Sequence, residues 1–254
     1  MTRTAFFNLP NLLTFANAGV GLVAVLLLLG EAVPAIGQSL PLAAATLVFV
    51  AFVLDLADGM VARHHGRPTG HLGAILDSLA DMVSFGIAPA LMLATVATGP
   101  GPMGLAWLGL VAAFLYAGAV LARLARFTER TVSGAHSSSA PLRLFEGLPA
   151  PAAAMMIATT VLLGGEPLGL LPLPLEHLAP WALLALGLTT PILMVSSLPF
   201  PDLPKFYIHG RLPRWHLGLL SAIAVVLGPA PALLLLALAY LTLGTGIAAR
   251  VGLD

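Results

Sequence analysis

Apolar residues dominate this chain in long uninterrupted runs, and polar positions mark where the runs end. Stretches at 11–30, 40–63, 73–98, 102–127, 149–171, 178–200, 207–228 and 230–250 are each long enough to cross a bilayer as a helix. Breaks fall at turn-forming clusters: Gly-Glu-Ala-Val-Pro at 30–34, Gly-Pro-Gly-Pro at 99–102 and Gly-Pro-Ala-Pro at 228–231. The pattern predicts an all-α, polytopic transmembrane bundle of about eight spans. The first run follows Met1-Thr2-Arg3 and continues to Gly30 without a small-residue cleavage site, so it reads as a true span and not a cleaved signal peptide.

Composition strengthens this picture. The chain of 254 residues is 59% hydrophobic and 9% charged, with a mean hydropathy of +0.99. Soluble domains carry about 25% charged residues, so lipid must be the solvent for most of this surface. There is no cysteine, which excludes disulfides and thiolate metal sites. A formal net charge of zero exerts no general pull on nucleic acid. With eight spans and the N-terminus inside, all 11 basic residues fall at or near cytoplasmic helix ends, and the intervening outer loops hold none. This is the positive-inside pattern, and removing one span would place Arg on both sides.

Acidic residues carry the candidate chemistry. Glu31, Glu166 and Glu176 lie in predicted outer loops, whereas Asp55, Asp58, Asp77 and Asp81 lie within or at the ends of spans two and three. An Asp at the centre of a membrane helix costs roughly 2.5–3.5 kcal/mol, so four of them within residues 55–81 demand compensation. Asp55 and Asp58, three apart, share a helix face, as do Asp77 and Asp81, four apart. The polar turn at 64–71 returns the chain to the membrane and brings the pairs together near the cytoplasmic surface. Facing carboxylates repel unless cations lie between them, and oxygen ligands without Cys or His suit magnesium, manganese or calcium. Such ions also clamp pyrophosphate. Gly59, Ala62 and Gly73 each fall four residues from one of these Asp and leave room for phosphate, and Arg63 stands at the helix end to meet phosphate oxygens. A capping or solvated-face role would account for one Asp pair but not for two pairs in membrane spans. His64, His65 and His71 read as solvated turn residues, and Met155-Met156 as packing.

The order Asp55-x-x-Asp58-Gly59-x-x-Ala62-Arg63, then Gly73-x-x-x-Asp77-x-x-x-Asp81, resembles the signature of the CDP-alcohol phosphatidyltransferase family. Flanking segments resemble its membrane-embedded serine-accepting branch: 77–89, Arg123-Leu-Ala-Arg126-Phe127, Gly147-Leu-Pro-Ala-Pro151 and Leu193-Met-Val-Ser196. Pro10-Asn11-Leu-Leu-Thr14 is similar to the start of the family's first helix. The resemblance covers most of 8–205.

The resemblance implies a six-span core, with a membrane domain at 1–205 and two added spans in 206–254 packed on it. It implies metal ligation by Asp55, Asp58 and Asp77, with Asp81 as catalytic base and a contact to a second ion. The cofactor would be Mg2+ or Mn2+. Gly59 and Arg63 would hold the pyrophosphate of CDP-diacylglycerol, with Asn11, Thr14 and Thr69 on the nucleotide side. The acceptor would be L-serine, its carboxylate met by one of Arg123, Arg126 and Arg143, with Arg126 the preferred choice. A homodimer in the cytoplasmic membrane, with its active site facing the cytoplasm, completes the expectation. Glycerol 3-phosphate, inositol phosphate and choline are the rival acceptors. A transporter is the rival of another class, but it predicts acids near mid-bilayer and broken helices. A purely structural membrane protein explains none of the four Asp.

Overall fold

The computed structural model describes residues 9–30, 40–64, 71–98, 103–133, 144–165 and 178–201. Outside them lie Thr69, the turn at 65–70, Arg143 and the two predicted C-terminal spans. Ala62 and Arg63 fall in helical backbone, but their side chains are outside the described set as well.

Helix α1 (Leu9–Leu29) carries Pro10 in its first turn, where no amide hydrogen is needed. Then come α2 (Leu40–His64), α3 (His71–Asp81), a π turn (Met82–Ile87), α4 (Ala88–Thr98) and α5 (Met103–Val132). After β1 (Leu144–Glu146) the chain forms α6 (Ala150–Gly165), α7 (Ala179–Val195) and β2 (Pro199–Pro201). Four helical stretches are long and apolar enough to cross a membrane: Leu9–Leu29, Leu40–Val61, His71–Thr95 and Trp107–Val132. Helices α6 and α7 are apolar but shorter. The described helices correspond to the first six predicted spans in order, and residues 166–171 of the fifth lie outside the described residues.

Small residues let the helices approach closely. Ala44, Ala45 and Ala51 of α2 and Ala150, Ala153, Ala154 and Ala158 of α6 are buried, and these two helices pack on each other. Around them Phe85, Met92, Leu93, Tyr116, Met156, Ile157, Met194 and Phe200 are wholly buried. The outward faces are equally apolar: Phe114 is 80% exposed, Trp107 65% and Leu26 57%. Such a surface suits lipid.

Two departures from the predicted pattern bear on the site. The third span is not continuous α-helix, because the π turn opens directly after Asp81. The chain also is not purely helical, since β1 and β2 pair antiparallel with Phe145 opposite Phe200. Two three-residue strands, one with a proline at each end, carry no alternation to betray them. They join the residues before α6 to those after α7. Gly147, at φ +79°, makes the bend, and a Cβ there would meet the Met194 carbonyl oxygen at 2.3 Å. The amides of Gly147 and Leu148 donate to the carbonyls of Leu198 and Leu193 at 2.8 and 3.0 Å.

Candidate active site

Side-chain contacts fix which helix ends meet. The N-terminal half of α1 touches the C-terminal end of α2 and the α3–π junction, and the C-terminal half of α5 lies against α3. The C-terminal end of α7 meets α5 at Arg126. The passes therefore alternate in direction, and the charged side chains among the described residues all collect at one end of the bundle, as the basic-residue pattern predicts.

Asp55, Asp77 and Asp81 each present a carboxylate oxygen, and the three oxygens lie within 4.8 Å of one another. Asp55 comes from α2 and the other two from successive turns of α3, so the spacing of four does what the sequence predicts. Asp58 stands beside this triad. It is buried, accepts a hydrogen bond from the Thr14 hydroxyl, and lies within electrostatic reach of Asp55 and Asp77. Three converging oxygen donors, with a fourth carboxylate close by, fit a hard divalent cation such as magnesium or manganese.

Helix α1 supplies the neutral partners. Asn11, Thr14 and Asn17 are all buried on one face. Thr14 serves Asp58, and Asn17 donates from Nδ2 to Asp81 Oδ1 at 3.5 Å. Sequence reasoning picked out Asn11 and Thr14 but missed Asn17. The available signal was the spacing: three polar residues at intervals of three in an otherwise apolar helix.

Helix α5 supplies the cations. Its register on the third pass is set at both ends. The Tyr116 hydroxyl donates to the Phe85 carbonyl at 2.8 Å, and the hydroxyls of Thr128 and Ser78 share a hydrogen bond. Arg123 lies between these two contacts. It is buried and acts electrostatically on Asp81. Arg126 points elsewhere: its Nη2 donates to the carbonyl oxygens of Met194 at 3.1 Å and Val195 at 3.5 Å. The segments around 123–127, 147–151 and 193–196, singled out in the sequence, thus meet one another. Gly59 and Gly73 are half-buried on the same helices as the Asp residues.

This arrangement of paired acids on two membrane helices coincides with a family match. Residues 7–193 match the CDP-alcohol phosphatidyltransferase family. The chain belongs to that family. Among curated relatives, a CDP-diacylglycerol–serine O-phosphatidyltransferase of Mycobacterium leprae is 34% identical over 208 residues, 79% of this chain and 64% of the relative. An archaetidylserine synthase of Methanothermobacter thermautotrophicus is 32% identical over 199 residues, 78% of this chain and 71% of that protein. A Helicobacter pylori CDP-diacylglycerol–serine O-phosphatidyltransferase is 35% identical over 182 residues, 71% of this chain and 67% of its own.

Proposed function

We propose that this protein transfers the phosphatidyl group of CDP-diacylglycerol to the hydroxyl of L-serine, giving phosphatidylserine and CMP. The observation that carries the reading is the convergence of Asp55, Asp77 and Asp81 at one end of an apolar bundle. Membership of the CDP-alcohol phosphatidyltransferase family, and relatives named for serine transfer, support the substrates.

A divalent cation, Mg2+ or Mn2+, supplies neutralisation of the pyrophosphate and of the charge on departing CMP. Asp55, Asp77 and Asp81, whose carboxylate oxygens converge, would hold it, with Asp58 close beside them. Gly59, Ala62 and Gly73 leave space for the diphosphate, and Arg63 meets its oxygens. Asn11 and Thr69 would serve the nucleotide side, as the family resemblance implies, and Thr14 would hold Asp58. Asp81 takes the proton of the serine hydroxyl as that oxygen attacks the lipid-side phosphorus. The phosphorus–oxygen bond to CMP breaks and the lipid retains the phosphate. General-base help of this kind contributes typically 10²–10⁴-fold.

Two arginines of α5 compete for the serine carboxylate. The family resemblance favours Arg126. Burial and nearness to Asp81 favour Arg123, and the engagement of Arg126 with α7 gives that side chain another task. We assign the carboxylate to Arg123. The assembly we propose is a homodimer in the cytoplasmic membrane, with residues 1–205 as the catalytic domain and 206–254 packed on it. Its Asp-bearing end faces the cytoplasm, a topology supported by the one-sided basic residues.

The test is CMP release by purified protein in detergent with CDP-diacylglycerol and Mg2+ or Mn2+. Serine, glycerol 3-phosphate, inositol phosphate and choline are supplied separately. Release with serine alone, abolished by chelation and lowered at least about 100-fold in Asp81→Asn, is the expected result. Release with a different alcohol overturns the acceptor, and no release with any of them from folded protein overturns the reaction.

A further inference from the structure

Asn17 is 1% exposed in an apolar helix, and its Oδ1 has no hydrogen-bond partner among the described residues. Burying an amide with half its capacity unused is unfavourable, so the other half must justify it. That half is Nδ2, which faces Asp81 Oδ1. Only the amide nitrogen can donate to a carboxylate, and this fixes the orientation of the side chain.

The backbone around Asn17 is tied to the same place. Its carbonyl accepts from the Ser84 hydroxyl at 3.0 Å. One turn on, Gly21 is pressed so closely to Ser84 that a Cβ would lie 2.2 Å from Oγ and 2.7 Å from Cα. Ser84 lies inside the π turn that starts directly after Asp81. The opposite side of that turn is held by Tyr116 on the Phe85 carbonyl. Asp81 therefore sits at the boundary between α-helix and a widened turn, clamped from α1 and α5, and Asn17 reaches back from the clamp to its carboxylate.

We infer that Asn17 is a positioning residue for Asp81: it holds one carboxylate oxygen and leaves the other to face the reacting centre. This separates Asp81 from Asp55 and Asp77. Its carboxylate is turned by a neutral donor from α1, so its free oxygen is presented in one direction. The inference rests on the proposed reaction for the role of Asp81, but not for the geometry.

The experiment compares wild type with Asn17→Ala and Asn17→Leu, the latter keeping volume without a donor. Three quantities are read on the full chain in detergent: kcat and KM for CMP release, Mn2+ affinity by electron paramagnetic resonance without substrate, and thermal stability. Both variants are expected to stay folded, to lose about 10–100-fold in kcat and to bind Mn2+ about tenfold or more weakly, with KM for CDP-diacylglycerol within about twofold. Wild-type kcat and Mn2+ affinity in both variants overturn the inference. So does a loss that follows the melting temperature, or a raised KM for CDP-diacylglycerol alone. If wild type releases no CMP with any alcohol while Asn17→Leu still weakens Mn2+ binding, the reaction fails and the positioning stands.

Discussion

The guanidinium of Arg126 caps helix α7 by donating to the carbonyl oxygen of Met194 at 3.1 Å. The last carbonyls of a helix have no partner within it, and a cation there also meets the negative end of the helix dipole. Hydrogen bonds from charged groups contribute roughly 1.5–3 kcal/mol. Arg126→Gln is therefore expected to lower the melting temperature in detergent while changing KM for serine little. Arg123→Gln is expected to raise KM for serine about tenfold or more with KM for CDP-diacylglycerol unchanged. A stable Arg126→Gln protein with a raised serine KM would return Arg126 to the acceptor site.

Thr14 lies within reach of two acceptors, the Pro10 carbonyl at 3.1 Å and the Asp58 carboxylate. One hydroxyl proton serves one of them at a time, and an ionised carboxylate is the stronger acceptor. Thr14→Val keeps the shape and removes the donor. It is expected to raise the concentration of Mn2+ needed for half-maximal activity by about tenfold and to leave KM for CDP-diacylglycerol unaltered. A change confined to the latter would place Thr14 on the nucleotide instead.

Gly21→Ala forces a methyl group against the backbone of Ser84, 2.7 Å from its Cα, as well as against its Oγ. Backbone cannot swing away as a side-chain tip can. Overpacking of this kind costs typically about 1–3 kcal/mol. Thermal unfolding is expected to show that loss in Gly21→Ala and to show little recovery in Gly21→Ala/Ser84→Ala, because the clash with the backbone at position 84 remains.

The Arg130–Glu146 ion pair, 2.7 Å long with both side chains about half exposed (46% and 52%), lies at the same bundle end as the site. The hydrogen bond from Arg130 holds the Glu146 carboxyl below its ordinary value of 4.5. A carboxyl depressed by folding adds stability above its unfolded pKa and loses it as pH falls through the lower folded value. The melting-temperature gap between wild type and Glu146→Gln is thus expected to be small at neutral pH, to shrink in roughly 1 M salt, and to close below pH 4.5. A gap that persists in acid would mean that Glu146 acts through packing.

The sequence carried the site further than the fold around it. Asp77 and Asp81 share a face because a spacing of four is a property of the helix itself, Asp55 joins them from α2, and the positional bias of the basic residues agrees with the alternation of passes. Helices α1 to α5 follow from long apolar runs. What stayed hidden depends on packing between elements. Arg123, Arg126 and Arg130 sit at helical intervals on one element, and only the docking of α5 decides that the first is buried, the second caps α7 and the third meets Glu146. Asn17 continues the spacing of Asn11 and Thr14, but what it serves appears only when α3 is placed beside α1. The β1–β2 pair joins residues more than fifty positions apart, through prolines that argue against a strand.

The π turn at Met82–Ile87 bears on how this helix tolerates insertions and deletions. An α-helix advances about 100° per residue, and a π turn is what results when one extra residue is absorbed without breaking the helix. Upstream, the phase is set by Asp77 and Asp81 facing α2. Downstream, it is set by Met92 and Leu93 facing the core. The surplus residue decouples the two phases. Substitutions that repack α4 can therefore accumulate without rotating the carboxylates, whereas loss of a single residue between 82 and 87 would bring the halves back into register and turn one of them away from its partners.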